Sequence, residues 1–142
     1  MQDRNGLLWI ATESGLNIHD HDDIKNYFHD KKDSLSLPGN NVYTLTEDSI
    51  GNIWISTNNG LAIYIPETDN FQTRLKTPIF SSIKIQGGIL FGGNKKLIIY
   101  TYNDKVFKTI NLCQEENGSN DWRINQIRQL NQNTYLLSTV QH

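Results

Sequence analysis

Cysteine occurs once in this chain, at Cys113, so no internal disulfide can form and no thiolate pair is present to grip a metal. Charge of a single sign is also missing. The 13 basic and 15 acidic residues are interspersed, the net charge is −2, and there is no basic stripe to follow a phosphate backbone, so nucleic acid is excluded as a partner. No apolar run approaches the roughly 18 residues of a membrane span, so this segment is expected to make no membrane contact. The opening MQDRNGLLWI has no basic leader followed by an apolar stretch and does not read as a signal peptide. Catalytic signatures are equally scarce. There is no Ser-His-Asp arrangement, no phosphate-cradling glycine loop and no spaced Cys/His set. Glu115 and Glu116 lack a second, separated carboxylate for glycosidase chemistry. These absences predict no enzyme activity and no cofactor. The 37% hydrophobic and 20% charged composition is that of a globular chain rather than a disordered one.

What the chain does have is an internal repeat. Residues 3–18 (DRNGLLWIATESGLNI) recur as residues 48–63 (DSIGNIWISTNNGLAI), 45 residues later. Asp3 aligns with Asp48, Gly6 with Gly51, Trp9 with Trp54, Thr12 with Thr57 and Gly15 with Gly60. A period in the forties, built from short β-type runs, is the signature of a propeller blade.

The second copy sets the template. Residues 41–47 (NVYTLTE) read as an innermost strand, 53–57 (IWIST) and 61–65 (LAIYI) as the next two, and 71–75 as a polar-alternating outer strand. Turns fall at 48–51 and 58–60, where Asp can bond its own backbone and Asn or Gly tolerates positive φ. Pro66 stops the third strand. The first copy lacks an inner strand and places its outer strand at residues 25–29. A third, degenerate copy puts GILFG (88–92) and LIIY (97–100) where the Trp strand and its neighbour stood, so Leu90 replaces Trp54. A fourth begins at Trp122 with RINQIRQL, turns at 131–133 and continues as YLLST. The runs at 53–55 and 97–100 are apolar on both faces, as expected for strands between stacked sheets. The expectation is an all-β, incomplete β-propeller of about three blades of four-stranded antiparallel meanders. Its parts are 1–32 (blade lacking its inner strand), 41–76 (complete blade), 79–112 (degenerate blade) and 122–142 (two strands of a further blade). Exposed sheet edges in such an array predict self-association.

The pattern D-x-x-G-x-[IL]-W-[IV]-[GAS]-T-x-x-G-L, carried by residues 3–20 and 48–65 with Ser34-Leu35 and Asn40 to Tyr43 between them, resembles the two-component-regulator propeller repeat. Ala11 and Ser56 stand where that repeat usually has glycine. The resemblance implies the periplasmic sensor region of a Bacteroidetes hybrid two-component system, with a kinase outside this chain. It further implies sensing of glycan breakdown products to control polysaccharide use. The implied partners are an oligosaccharide, the rest of the propeller and a dimer mate.

Individual candidates divide into structural and functional readings. Trp9 and Trp54 lie in mid-strand and read as core rather than sugar platforms. Asp3 and Asp48 read as turn formers, since one carboxylate per turn falls short of the six to eight oxygens calcium takes. His19 to Asp23 (HDHDD) resembles a metal cluster, yet aligns with an outer-strand turn in the next copy and reads as solvated. Lys31-Lys32 and Lys95-Lys96 read as turn residues. Binding is expected on the face made by loops 12–15, 30–40, 57–60 and 113–123. Trp122 and Arg123, placed in the last of these loops, are the ligand-binding candidates, a stacking ring beside a fork of donors that suits a sugar. No metal site and no catalytic residue is expected. The competing functions are a ligand sensor, a protein-binding or dimerising scaffold without a small ligand, and, least supported, a propeller enzyme.

Overall fold

The computed structural model describes residues 1–112 and 121–141. Among them every regular element is a β-strand, and each sheet is an antiparallel meander whose strands follow chain order. The chain divides into two compact units, residues 1–78 and 79–142. The first holds a three-stranded sheet, β1 (Leu8–Thr12), β2 (Gly15–Asp20) and β3 (Asp23–Tyr27), and a four-stranded one, β4 (Val42–Glu47), β5 (Ile53–Thr57), β6 (Leu61–Ile65) and β7 (Asn70–Leu75). The second holds β8 (Ser81–Ile85), β9 (Gly88–Gly92), β10 (Lys96–Thr101) and β11 (Val106–Asn111), followed by the hairpin β12 (Trp122–Asn131) and β13 (Thr134–Gln141). These are propeller blades.

The repeat holds in register as well as in sequence. Trp9 sits opposite Ile18, and Trp54 opposite Ile63. A bulge between Val42 and Thr44 recurs between Ile124 and Gln126, against Thr57-Ser56 and Thr139-Ser138 respectively. β5 and β9 are buried along their whole length, as strands between two packed faces must be. β10 alternates in burial instead, because its neighbour β11 is almost wholly exposed.

In the first unit one core joins both sheets. Trp9, Leu16 and Ile18 pack with Val42, Ile53, Ile55, Ala62 and Phe71, and Leu37 of the connecting loop drops into the same cluster at 0% exposure. Burying that leucine contributes about 1.5–3 kcal/mol and pins the loop to the sheets.

Two placements refine the sequence expectation. The outer strand of the first sheet runs from Asp23 to Tyr27, not 25–29. The cause is its hairpin turn, where Asp20 pairs directly with Asp23 and His21 takes a φ of 49°. The corresponding turn of the next sheet is longer, with Ile65 opposite Asn70. Trp122, expected both at the end of the 113–123 loop and at the start of the fourth unit, opens strand β12: its carbonyl is bonded by the Lys95 amide (3.3 Å), and the Ile124 amide bonds the Gly93 carbonyl (3.2 Å).

Candidate functional site

The repeated Asp and Trp form a buried clasp. Asp3 Oδ1 accepts from the amides of Asn5 (2.9 Å) and Leu7 (3.0 Å), while Oδ2 accepts from Trp9 Nε1 (2.8 Å). Asp48 repeats this with Ile50 (3.0 Å), Asn52 (2.8 Å) and Trp54 Nε1 (3.1 Å), and adds Asn52 Nδ2 (2.8 Å). Each carboxylate thus satisfies turn amides and a buried indole N–H that would otherwise be orphaned. Both tryptophans are 1% exposed, so neither offers a face to a ligand.

A second polar cluster ties the outer rims of the first two sheets together. Asp69, in the β6–β7 turn at φ 51°, accepts from Lys25 Nζ (2.8 Å), from the Tyr27 hydroxyl and from the Tyr64 hydroxyl (2.6 Å). The hydrogen bond from Lys25, with those of the two tyrosines, lowers the Asp69 carboxyl to about 2. Burial first and the neighbouring carboxylate second push Tyr64 up to about 12 and raise Tyr27 as well. Tyr27, Tyr64 and Phe71 meet edge-on or tilted beneath the carboxylate, and Tyr64 also stands edge-on to Trp9 at 5.1 Å.

A concave feature of the first unit lies where the long β3–β4 loop passes the β5–β6 turn. This cleft, of about 300 Å³, is lined by loop residues from His29 to Pro38, by Asn59, and by Thr73 and Lys76 beyond the start of β7. The loop is rigid by its own bonding. Asp30 Oδ1 caps the Lys32 amide and Asp33 Oδ1 the Leu35 amide, each at 2.9 Å. Ser36 Oγ accepts from the Asp30 amide (2.9 Å) and donates toward the Asp33 carbonyl (2.8 Å). The Phe71 amide bonds the Leu35 carbonyl (2.9 Å), and the Asn40 carbonyl accepts from the Gly15 amide (2.7 Å). His29 donates Nδ1–H to the Leu37 carbonyl at 2.6 Å, which leaves Nε2 as the acceptor nitrogen of the neutral ring.

Trp122 and Arg123 lie in the second unit. The Trp122 ring is half-buried against the cluster of Leu90, Ile124 and Ile127. The Arg123 guanidinium stacks over Phe80, 4.8 Å from the ring centre, and its Nε donates to Asn125 Oδ1 at 2.9 Å. The Trp122 carbonyl accepts from the preceding sheet's second turn, as the Asn40 carbonyl does in the first unit. Trp122 therefore holds a repeated structural position. Most of the 113–123 loop, with Cys113, Glu115 and Glu116, lies outside the described residues. His21 pairs only with the adjacent Asp20, Nδ1 to Oδ1 at 3.0 Å, and both are exposed. Among the described residues no three His, Cys, Asp or Glu side chains converge on a metal-sized point. The Asp–Trp bond is not among the sequence expectations, which treat Asp3 and Asp48 as turn formers and Trp9 and Trp54 as core. A signal was present, since Asp and Trp vanish together in the third copy.

Residues 36–59 match the family described as two component regulator propeller. No curated protein matches the chain. Among solved structures the chain is similar to the extracellular domain of BT4673 from B. thetaiotaomicron, described as a hybrid two component system, with a TM-score of 0.77 at 17% identity over 94% of this chain and 18% of that one. It is also similar to the extracellular domain of BT3049 from the same organism, described likewise, with a TM-score of 0.61 at 22% identity over 83% of this chain and 19% of that one. The chain thus spans less than a fifth of either structure, and at these identities the likeness establishes the fold. Residues 36–59, which hold the Asp48–Trp54 clasp, thus match the two component regulator propeller repeat, within sheets that have the propeller fold.

Proposed function

We propose that this chain is part of the extracytoplasmic ligand-sensing region of a hybrid two-component regulator, periplasmic in location, and that the molecule sensed is a product of glycan breakdown. The observation that carries the reading is the regulator propeller repeat at residues 36–59, set in blades whose fold is that of extracellular domains described as two component systems. Binding without turnover fits the side chains present. The buried carboxylates are spent on structure, and the candidate contacts, the β3–β4 loop cleft and the Trp122–Arg123 pair, supply recognition groups without a paired acid and base. Two measurements test this. A membrane helix and a histidine-kinase motif encoded in the same reading frame are expected, and their absence sinks the regulator reading. Glycan-array binding by the intact ectodomain, with no hydrolysis or elimination of the bound saccharide, is expected; steady turnover lost on a point change overturns it. Within this reading Trp122→Ala weakens saccharide binding if the ring is a contact.

A second reading, a scaffold for protein association or dimerisation, is favoured by one feature. The β12–β13 hairpin exposes Leu130 (63%), Leu136 (55%) and Val140, more apolar surface than a short hairpin needs for its own packing.

A further inference from the structure

We infer that the cleft between the β3–β4 loop and the β5–β6 turn is a binding subsite for a small, neutral, polyhydroxylated ring, one residue of a saccharide; the inference deepens the ligand-sensing reading above and rests on it for its biological meaning. The first reason is rigidity. The loop wall is fixed before any ligand arrives, by two Asp-capped amides, by the Ser36 hydroxyl and by the fully buried Leu37. A preformed wall spares the ordering cost that weakens binding to a mobile loop. Its volume of about 300 Å³ lies at the small end of ligand sites, so it suits a ring rather than a chain.

The second reason is the balance of the lining. Lys31 and Lys76 oppose Asp30 and Asp33, so these formal charges cancel and a charged ligand gains little net attraction. Each aspartate commits one oxygen to a loop amide and keeps the other as an acceptor. His29 presents its acceptor nitrogen, while the ammonium groups and the Asn59 amide donate. Donors and acceptors gathered around the half-buried Pro38 match a molecule whose hydroxyls do both. An apolar ligand leaves these polar groups unpaired, and an anion meets the two carboxylates. The long loop is also local to this part of the chain. Residues 28–41 separate β3 from β4, whereas only residues 76–80 separate β7 from β8.

The test is amide NMR on the intact ectodomain, isotope-labelled over these 142 residues and titrated with galactose, glucose, mannose, xylose and arabinose, with their β-linked disaccharides, and with glucuronate and galacturonate. The expected result is saturable shifts at the Leu35, Ser36 and Asn59 amides with at least one neutral sugar. Asn59→Ala and Lys76→Ala, both exposed positions, should weaken that binding about tenfold each without altering the spectrum of the remaining core. The inference is overturned if no sugar shifts these amides, if only the uronates do, or if both variants bind like the parent. Saccharide binding by the intact ectodomain with silent cleft amides removes this subsite and leaves the sensor reading standing. Absence of saccharide binding to the ectodomain as well removes both.

Discussion

The second sheet, β4 to β7, and the third, β8 to β11, solve the same packing problem with different turns. Their later halves share a register at a spacing of 36 from Ala62 and Ile98 onward, although β6 and β7 carry a bulge at Leu61 that β10 and β11 lack. Tyr64 pairs with Phe71 as Tyr100 pairs with Phe107, and Asp69 and Lys105 occupy the same turn position with φ of 51° and 54°. Their first hairpins diverge. Between β4 and β5 the chain takes the five residues 48–52, and the Asp48 carboxylate must satisfy the amides this wide turn leaves open. Between β8 and β9 it takes only Gln86 and Gly87, with Gly87 at φ 77°, and a tight hairpin turn of that kind closes without side-chain help. Once the carboxylate is dispensable, an indole N–H in the adjacent core has no acceptor, and Leu90 stands where Trp54 does. Asp and Trp are thus kept or lost as a pair. The blade itself depends on register; the clasp belongs to the wide turn.

The largest expected effect tests the clasped core directly. Trp9→Ala empties a fully buried site among Leu16, Ile18 and Tyr64 and orphans Asp3 Oδ2, so it should cost about 3–5 kcal/mol in urea unfolding. A loss below 1 kcal/mol would show that the indole is not the keystone of the first two sheets. Next comes Asp48→Ala, which strands the Trp54 N–H and two turn amides and should cost about 1–3 kcal/mol. Asp3→Ala should cost less, since Asp3 lacks the extra bond that Asn52 Nδ2 gives Asp48. The reverse order in paired denaturation curves breaks the turn argument.

Close backbone approach takes over the clasp's role in the second unit. A Cβ on Gly92 would stand 2.8 Å from Ile124 and press on the Ser81 hydroxyl, which donates to the Ile124 carbonyl at 2.7 Å. Gly92→Ala should therefore destabilise by about 1–3 kcal/mol through overpacking. Ser56, the residue at this place in the second sheet, should tolerate alanine, since its buried hydroxyl has no partner there. Equal costs at the two sites would mean that β12 can move aside.

Much of this was legible in the sequence. β5 and β6 begin and end where β-branched runs meet Asn-Gly and Pro signals, because those limits are set locally. The β3 strand was misplaced by two residues because a two-residue turn at His21-Asp22 leaves no glycine or proline to mark it. For Trp122 the sequence leaves the boundary between loop and strand open, because the start of β12 is fixed by bonds to Gly93 and Lys95, about 30 residues away. The Asp69 cluster is hidden from the sequence for the same reason. Lys25 and Tyr27 meet Asp69 across more than 40 residues, outside any repeated motif.

That cluster gives the smallest and most specific contrast between the units, since the equivalent turn residue Lys105 carries no carboxylate. Asp69 has a depressed folded-state value of about 2, so the stability it contributes is present above its unfolded value of about 4 and is lost as pH falls toward 2. Tyr64 is shifted the other way. Its raised value of about 12 means that stability is intact below pH ~10, where the unfolded tyrosine begins to ionise, and declines as pH climbs toward 12. Because the Asp69 side chain is 44% exposed, solvent screens its interactions, and Asp69→Asn should cost under about 1 kcal/mol at neutral pH. The diagnostic is the shape of the profile. Asp69→Asn should flatten the stability loss between pH 4 and 2. An unchanged acid limb would mean that Lys25, Tyr27 and Tyr64 do not hold the carboxylate in solution, and that the rims of the first two sheets are joined by ring packing alone.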